Sequence, residues 1–118
     1  MTPQAHTAPP AVIDGVFRAL ADPTRRNVLE RLSVQPASAS DLAARYKMAL
    51  PSFVEHMKVL EGCGLVRSRK TGRVRTYQLA PEKLKLAEDW LGKQRRFWEQ
   101  RLDQLDEYLL TMKQEESK

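Results

Sequence analysis

The sequence predicts a mainly α-helical domain that carries a two-stranded β-hairpin and ends in one long helix. Apolar residues recur at helical spacing through residues 12–61, and a glycine turn separates two short alternating segments within residues 66–79. Helical spacing then returns from residue 82 to about residue 114. A chain of 118 residues is long enough for one such domain with a modest core.

The first part of the chain is predicted to hold a flexible tail and two helices. Residues 1–11 contain three prolines, so a tail is expected there, and the first helix is predicted over residues 12–20. Asp22 is a favourable N-cap for the second helix, and Pro23 fits its first position, where the missing N–H costs nothing. The inward face of the second helix should hold Val28, Leu29 and Leu32.

A pair of short helices is predicted after residues 33–40, a connection rich in serine that also contains proline. Ser40 is predicted to cap the first of them. The second is predicted over about residues 51–61, with Gly62 or Gly64 at its end. Two short helices joined by a tight turn form a helix-turn-helix. The buried face of the second helix is predicted to hold Phe53, Met57 and Leu60.

Residues 66–79 have the pattern of two strands around a turn at Thr71 and Gly72. Because an isolated hairpin is marginally stable, this one is expected to pack against the helices. A helix-turn-helix with such a hairpin is a winged helix. The predicted organisation is a winged helix-turn-helix domain over residues 12–80, a long helix for dimerisation over residues 81–114 and a tail over residues 115–118.

The C-terminal helix is predicted to carry an apolar stripe, because apolar residues recur every three or four positions from Leu84 to Met112. A helix of about 33 residues would extend roughly 50 Å, which exceeds the diameter of so small a domain. A second copy of the chain is the simplest cover for the surplus stripe, and it would set the distance between two DNA-binding heads. The stripe residues assigned to this dimer interface are Leu91, Trp98, Leu102, Leu105 and Leu109.

The formal net charge is +5, and the positive charge lies before residue 81. Residues 1–80 carry 12 Lys and Arg against 6 Asp and Glu, whereas residues 81–118 carry 8 against 9. A positive region favours polyanions through counterion release. Basic residues also keep edge strands soluble, which is the alternative interpretation of the hairpin. The hairpin residues expected to contact DNA are Arg67, Arg69, Lys70, Arg73 and Arg75.

The helix predicted over residues 51–61 presents an outer face suited to the major groove, where the second helix of this motif inserts. That face consists of Pro51, Ser52, Val54, Glu55 and Lys58. Ser52 and Lys58 suit phosphates or base edges. Glu55 has two interpretations: it accepts a hydrogen bond from a cytosine amino group, or it forms a surface ion pair with Lys58 or Arg45.

Three segments together resemble the ArsR/SmtB-type winged-helix repressors: ALADPTRRNVLERL, LAARYKMALPSFVEHMKVLEGCGLVRSRKTGRVRTYQLAPEKL and WLGKQRRFWEQRLDQLDEYL. The likeness covers about residues 12–110 and is greatest to the branch that lacks a metal site and ends in a long tryptophan-containing helix. It implies a homodimer that binds a pseudo-palindromic operator and blocks transcription. It also implies that the first and last helices form the dimer interface, which would include Ile13 and Phe17. Many relatives carry a small hydroxyl residue and then a basic or amide residue where Val54 and Glu55 stand.

Other functional classes receive little support from the sequence. No nucleophile–base set or phosphate-binding glycine loop occurs at a suggestive spacing, so we expect no catalytic site. His6, His56 and Cys63 are too few for a transition-metal site, so neither a metal nor a cofactor is expected. A single cysteine and the lack of a signal or spanning segment favour the cytoplasm and no membrane partner.

Two alternative functions stay open at this level. The C-terminal stripe suits a protein-interaction module that binds a different chain. Oxidation of Cys63, or a metal ligated with a partner's help, would suit a responsive repressor. The sequence predicts neither an inducer nor an operator. Arg25 and Arg26 are interpreted as exposed helix residues, and the alternatives are that they support the dimer or approach the DNA backbone.

Overall fold

The computed structural model describes residues 10–117, and the fold class predicted from the sequence is confirmed. In order, the elements are α1 (Pro10–Leu20), α2 (Pro23–Val34), β1 (Ala37–Ser38), α3 (Ala39–Ala43), α4 (Leu50–Gly62), β2 (Val66–Thr71), β3 (Val74–Leu79) and α5 (Glu82–Glu116). Helix α1 begins and α5 ends two residues beyond their predicted limits. Residues 1–9 and 118 of the predicted tails lie outside the described residues.

The corner between α1 and α2 follows the sequence prediction. Asp22 is the N-cap of α2, and its Oδ2 atom accepts a hydrogen bond of 3.0 Å from the backbone N–H of Arg25. Pro23 occupies the first turn, where no N–H is needed. The predicted inward residues of α2 are all buried: Val28, Leu29 and Leu32.

Helix α3 begins earlier than the sequence predicts. Its N-cap is Ser38, whose Oγ atom accepts a hydrogen bond of 3.1 Å from the backbone N–H of Asp41. The prediction of Ser40 as the cap is therefore wrong, since Ser40 already lies inside the helix. The helix ends at Ala43.

The sheet contains a third strand that the sequence analysis assigned to a connection. Its order is β1-β3-β2, with Ala37 opposite Tyr77 and Ser38 opposite Thr76. Strands β2 and β3 form the predicted antiparallel hairpin. Its turn consists of Gly72 and Arg73 rather than the predicted Thr71 and Gly72, because Thr71 pairs with Val74 at the end of β2. Gly72 in the turn has a φ angle of 63°, which glycine adopts without steric cost.

Helix α4 ends in a Schellman motif, which decides between the two predicted glycines. Gly64 has a φ angle of 82°. Its N–H donates to the carbonyl oxygen of Glu61 at 3.1 Å, and the N–H of Leu65 donates to that of Leu60 at 3.0 Å. Gly62 is the last residue of the helix itself.

One apolar core joins α1, α2, α3, α4 and the sheet. The predicted inward residues of α4 are buried, with Phe53 3% exposed, Met57 2% and Leu60 fully buried. Burial of such side chains stabilises the fold by about 1.5–3 kcal/mol each. The core therefore fixes both the rotation of α4 about its axis and the inner face of the hairpin.

The fold divides into two compact units, one ending at Ala87 and the other beginning at Glu88. The first unit contains the core and the start of α5, through the buried Ala87. The second consists of the remaining turns of α5. No helix within residues 10–117 combines the length and apolar character that a bilayer span requires.

Candidate nucleic-acid interface

Helix α4 has one buried and one exposed face. Its five predicted contact residues are all exposed: Pro51, Ser52, Val54, Glu55 and Lys58. Leu50, which the sequence analysis did not assign, is 62% exposed at the first position of the helix. The structure thus brings the predicted residues together on one accessible face.

The N-terminus of α4 differs from those of α2 and α3, because no side chain caps it. Its N-cap residue is Ala49, which makes no side-chain hydrogen bond to the first turn. Asp22 and Ser38 supply such bonds to the other two helices. The partial positive charge at the start of α4 is therefore not neutralised by a capping side chain.

Glu55 lies on the exposed face, and its side chain forms no ion pair within the described residues. The alternative in which it pairs with Lys58 or Arg45 does not occur in this structure. Its carboxylate is therefore available to the solvent or to a ligand. Base reading by Glu55 therefore stays a prediction.

A polar cluster joins α4 to the corner between α1 and α2. The Nη1 atom of Arg25 lies 3.1 Å from the Nδ1 atom of His56, and Oδ2 of Asp22 lies 3.8 Å from the same nitrogen. Arg25 also donates to the carbonyl oxygens of Ala19 and Arg18, at 2.8 and 3.0 Å. His56 is thus a structural residue at a helix junction.

The cluster changes the protonation equilibrium of Asp22. Burial acts to raise its pKa, but the hydrogen bond from the Arg25 backbone and the nearby charges of His56 and Arg25 outweigh burial. The net result is a lowered pKa. The carboxylate is therefore more strongly ionised in the folded protein than in an unfolded chain.

This role of Arg25 is not the one that the sequence predicts, since both Arg25 and Arg26 are interpreted from the sequence as exposed helix residues. That interpretation is wrong for Arg25, which is only partly exposed. Arg26 is exposed but donates to the carbonyl oxygen of Leu20 at 2.7 Å. The available signal was that Arg25 and Arg26 lie only five and six residues after the predicted end of the first helix at residue 20, since cations suit helix C-termini.

Hairpin β2–β3 holds the five predicted cations, and all of them are exposed. Two are engaged within the protein. Arg67 pairs with Glu82 at 3.3 Å, and Nη1 of Arg75 donates to Oγ of Ser68 at 2.7 Å. That hydroxyl in turn donates to Oε2 of Glu61 at 2.7 Å.

The other three cations surround the turn of the hairpin. Arg69 and Lys70 lie near the end of β2, and Arg73 lies in the turn itself. Within residues 10–117 their side chains form no hydrogen bond or ion pair. The tip of the hairpin therefore offers three unengaged positive charges.

Two groups near the base of the hairpin have raised pKa values. Burial raises the pKa of Tyr77, and the charge of Glu61 raises it further against the opposing charge of Arg75. Burial also raises the pKa of the Cys63 thiol, whose Sγ atom donates to the carbonyl oxygen of Leu60 at 3.4 Å. A thiol held in its protonated form is a poor nucleophile, so the environment does not activate Cys63.

Residues 10–117 contain no cluster of three or more His, Cys, Asp or Glu side chains that could bind a metal ion. His56 is occupied by the contacts to Arg25 and Asp22. His6 lies outside the described residues.

The predicted dimer residues divide between the two units. In α1, Ile13 and Phe17 are partly exposed. In α5, each predicted residue is 49–61% exposed, and the spacing of three and four places them on one face. These residues are Leu91, Trp98, Leu102, Leu105 and Leu109.

Comparisons with known proteins agree with this architecture. A profile described as a helix-turn-helix domain matches residues 20–69. An HTH-type transcriptional regulator of Mycobacterium tuberculosis is 39% identical over 85 residues, which cover 72% of this chain and 77% of that protein. The transcriptional repressor SdpR of Bacillus subtilis is 28% identical over 79 residues, covering 67% of this chain and 88% of the repressor.

Solved structures give the same result. The crystal structure of an ArsR family transcriptional regulator has a TM-score of 0.75 and 48% identity, and the match covers 79% of this chain and 96% of that one. An ArsR-like transcriptional regulator from Rhodococcus sp. RHA1 has a TM-score of 0.68 and 34% identity, with coverage of 80% and 90%.

Proposed function

The chain belongs to the ArsR/SmtB family of transcriptional regulators, and from this premise we propose that it is a repressor that binds a pseudo-palindromic operator as a homodimer. Each protomer inserts the outer face of α4 into a major groove, while the hairpin contacts the adjacent backbone. Its partners are double-stranded DNA in the cytoplasm and a second copy of itself. The activity is binding alone, without a catalytic step, metal or cofactor.

The two-sided character of α4 is the observation that carries this proposal. Phe53, Met57 and Leu60 anchor one face in the core, which leaves the opposite face free to enter a groove about 12 Å wide. That exposed face contains Ser52 and Lys58, which suit phosphates and base edges, and Val54, which suits a thymine methyl group. An anchored helix with such a face can hold a constant register on DNA.

The hairpin supplies affinity rather than sequence choice. The unengaged cations at its tip, Arg69, Lys70 and Arg73, can each neutralise a phosphate and release counterions. Arginine binds phosphate with two hydrogen bonds from one planar fork. The uncapped N-terminus of α4 adds a partial positive charge that also favours the DNA phosphates. Arg67 contributes less, since its charge is already paired with Glu82 within the protein.

The stripe of α5 supports dimerisation. Leu91, Trp98, Leu105 and Met112 recur every seven residues, and Leu102 and Leu109 fall between them at steps of three and four. This is the heptad pattern of a two-stranded seam. A two-fold dimer would present two α4 helices to half-sites about one helical turn apart, near 10 base pairs.

Selection of bound duplexes from a random pool tests this proposal directly. The full chain should enrich an inverted repeat whose half-site centres lie about 10 base pairs apart. Sedimentation of the free protein should give the mass of two chains. Enrichment of unrelated sequences, or no binding even at low salt, would favour the alternative of a protein-interaction module.

A further inference from the structure

A second feature of the first unit is an apolar cleft between α3, α4 and β3. Its volume is about 430 Å³, within the usual range of small-molecule sites, roughly 300–1,000 Å³. Ala43, Phe53, Met57 and Tyr77 are among the residues that line it. Ser40 and Arg75 also line it, and no acidic residue does.

The cleft has a fixed floor and an apolar rim. Phe53 and Met57 are 3% and 2% exposed, and the ring of Phe53 stacks on Tyr46 with centroids 5.8 Å apart. At the rim, Leu50 is 62% exposed and Val54 is 41% exposed. An apolar ligand would remove both of these side chains from water, which stabilises the complex by about 25 cal/mol for each Å² covered.

Among the residues that line the cleft, Arg75 alone carries a positive charge. One of its nitrogens, Nη1, donates to Ser68, and a guanidinium has five N–H donors in total, so further donors stay available. A planar carboxylate matches two of those donors. A phosphate dianion needs more donors and more water than this lining supplies, because the remaining walls are mainly apolar.

We propose that this cleft binds an apolar monocarboxylate, with its hydrocarbon part against Phe53 and Met57 and its carboxylate at Arg75. We further propose that the bound ligand weakens DNA binding. This second part rests on the proposed function, because Leu50 and Val54 lie on the helix that would enter the groove. A ligand at the rim would occupy space beside Ser52 and Glu55 that the DNA needs.

Titration of the free full-length protein tests the site without DNA. The probes are 4-phenylbutyrate and the uncharged 4-phenylbutan-1-ol, followed through the methyl resonances of Met57 and Val54. We expect saturable binding of the carboxylate, with the alcohol about tenfold weaker because it lacks the charge-assisted hydrogen bond. Equal affinity for the two probes, or no saturation at millimolar carboxylate, would overturn the proposal.

Three variants localise the binding. Arg75→Gln should weaken the carboxylate about tenfold and leave the alcohol unchanged. Arg69→Gln makes the same charge change on the other face of the hairpin and should leave both affinities within about twofold. Ala43→Leu should fill the cleft and abolish binding of both probes, and its far-ultraviolet circular dichroism checks that it folds. Retained binding in Ala43→Leu, or equal losses in the two arginine variants, would contradict the assigned site.

The regulatory part needs DNA. Saturating 4-phenylbutyrate should weaken binding of the wild-type protein to its selected operator by about fivefold or more, and should not affect Ala43→Leu. Ligand binding with unchanged DNA affinity would overturn the regulatory part alone. If the protein bound no DNA at all, the proposed function would fail, while the titration without DNA would still decide whether the cleft is a carboxylate site.

Discussion

The Nη1 atom of Arg25 lies 3.1 Å from the Nδ1 atom of His56, and this contact joins α2 to the middle of α4. The same guanidinium donates to the carbonyl oxygens of Ala19 and Arg18, which belong to the last turn of α1. One side chain therefore hydrogen-bonds the free carbonyl oxygens at the end of α1 and also restrains α4, the helix that we propose for the major groove. Its loss should affect both the stability of the fold and the position of α4.

Arg25→Gln tests this role. Hydrogen bonds from charged groups contribute about 1.5–3 kcal/mol each, and these are partly exposed, so we expect the free energy of unfolding to fall by about 2 kcal/mol. Urea denaturation measures it. Arg31→Gln is the matched control, because Arg31 is exposed and lies on the same helix. Within the described residues, the side chain of Arg31 forms one hydrogen bond, to Asn27 of its own helix at 3.1 Å. Equal losses in the two variants would contradict a special role for Arg25.

Asp22→Asn tests how much the negative charge of the α2 N-cap contributes to stability, and how this contribution depends on pH. Asparagine caps helices as well as aspartate, so this change removes mainly the negative charge. The pKa of Asp22 is lower in the folded protein than in the unfolded chain. The stabilisation by its charge is therefore fully present above the unfolded-state pKa, and it is lost as the pH falls through the folded-state pKa. We expect the wild type to be more stable at pH 7 by about 0.5–1 kcal/mol.

Urea denaturation from pH 7 down to pH 2 measures the difference between wild type and Asp22→Asn. The difference should stay constant down to about pH 5 and then shrink, because the wild-type carboxylate takes up its proton. A difference that persists unchanged at the lowest pH would mean that the charge of Asp22 is not its source.

Arg73→Ala tests the hairpin tip. If Arg73 neutralises one phosphate, its removal should weaken binding to all duplexes alike and reduce the slope of log affinity against log salt by about one unit. Arg67→Ala provides the control, since Arg67 is already paired with Glu82 at 3.3 Å and should change the slope less. Fluorescence anisotropy at several salt concentrations measures both. An unchanged slope in Arg73→Ala would remove the hairpin tip from the mechanism.

Leu105→Glu tests the dimer seam of α5. A carboxylate in the middle of an apolar seam would be buried without a partner, so we expect mainly single chains at micromolar concentration. Gln100→Glu adds the same charge on the opposite side of the helix and should leave the dimer intact. Sedimentation velocity distinguishes the two states. Dimers of equal strength in both variants would place the interface elsewhere.

The sequence predicted the elements that depend on local spacing. Phe53, Met57 and Leu60 repeat at four and three residues, which defines the buried face of a helix whatever surrounds it. Asp22 and Pro23 carry their signal in adjacent positions, and both were predicted correctly. The exposed face of α4 followed from the buried one by elimination.

The features that the sequence did not reveal depend on contacts between distant segments. Strand β1 has only two residues, Ala37 and Ser38, and it is a strand because Tyr77 and Thr76 lie opposite. The observed cap of α3 is Ser38 rather than the predicted Ser40 for a related reason. Both serines are competent caps, and the helix begins where β1 ends. The contact between Arg25 and His56 spans 31 positions, so no local pattern could indicate it.

Glu55→Gln provides the sharpest test of sequence reading by α4. The exposed carboxylate of Glu55 lacks an ion pair within the described residues, and a carboxylate can accept a hydrogen bond from the amino group of cytosine. The wild-type protein should therefore select cytosine at one position of each half-site, and the variant should lose that preference or prefer adenine. Because a carboxylate is repelled by phosphates, the variant should also bind mixed duplex DNA about threefold more tightly. Parallel selection from one random pool measures the preference, and identical selected sequences for the two proteins would show that Glu55 reads no base.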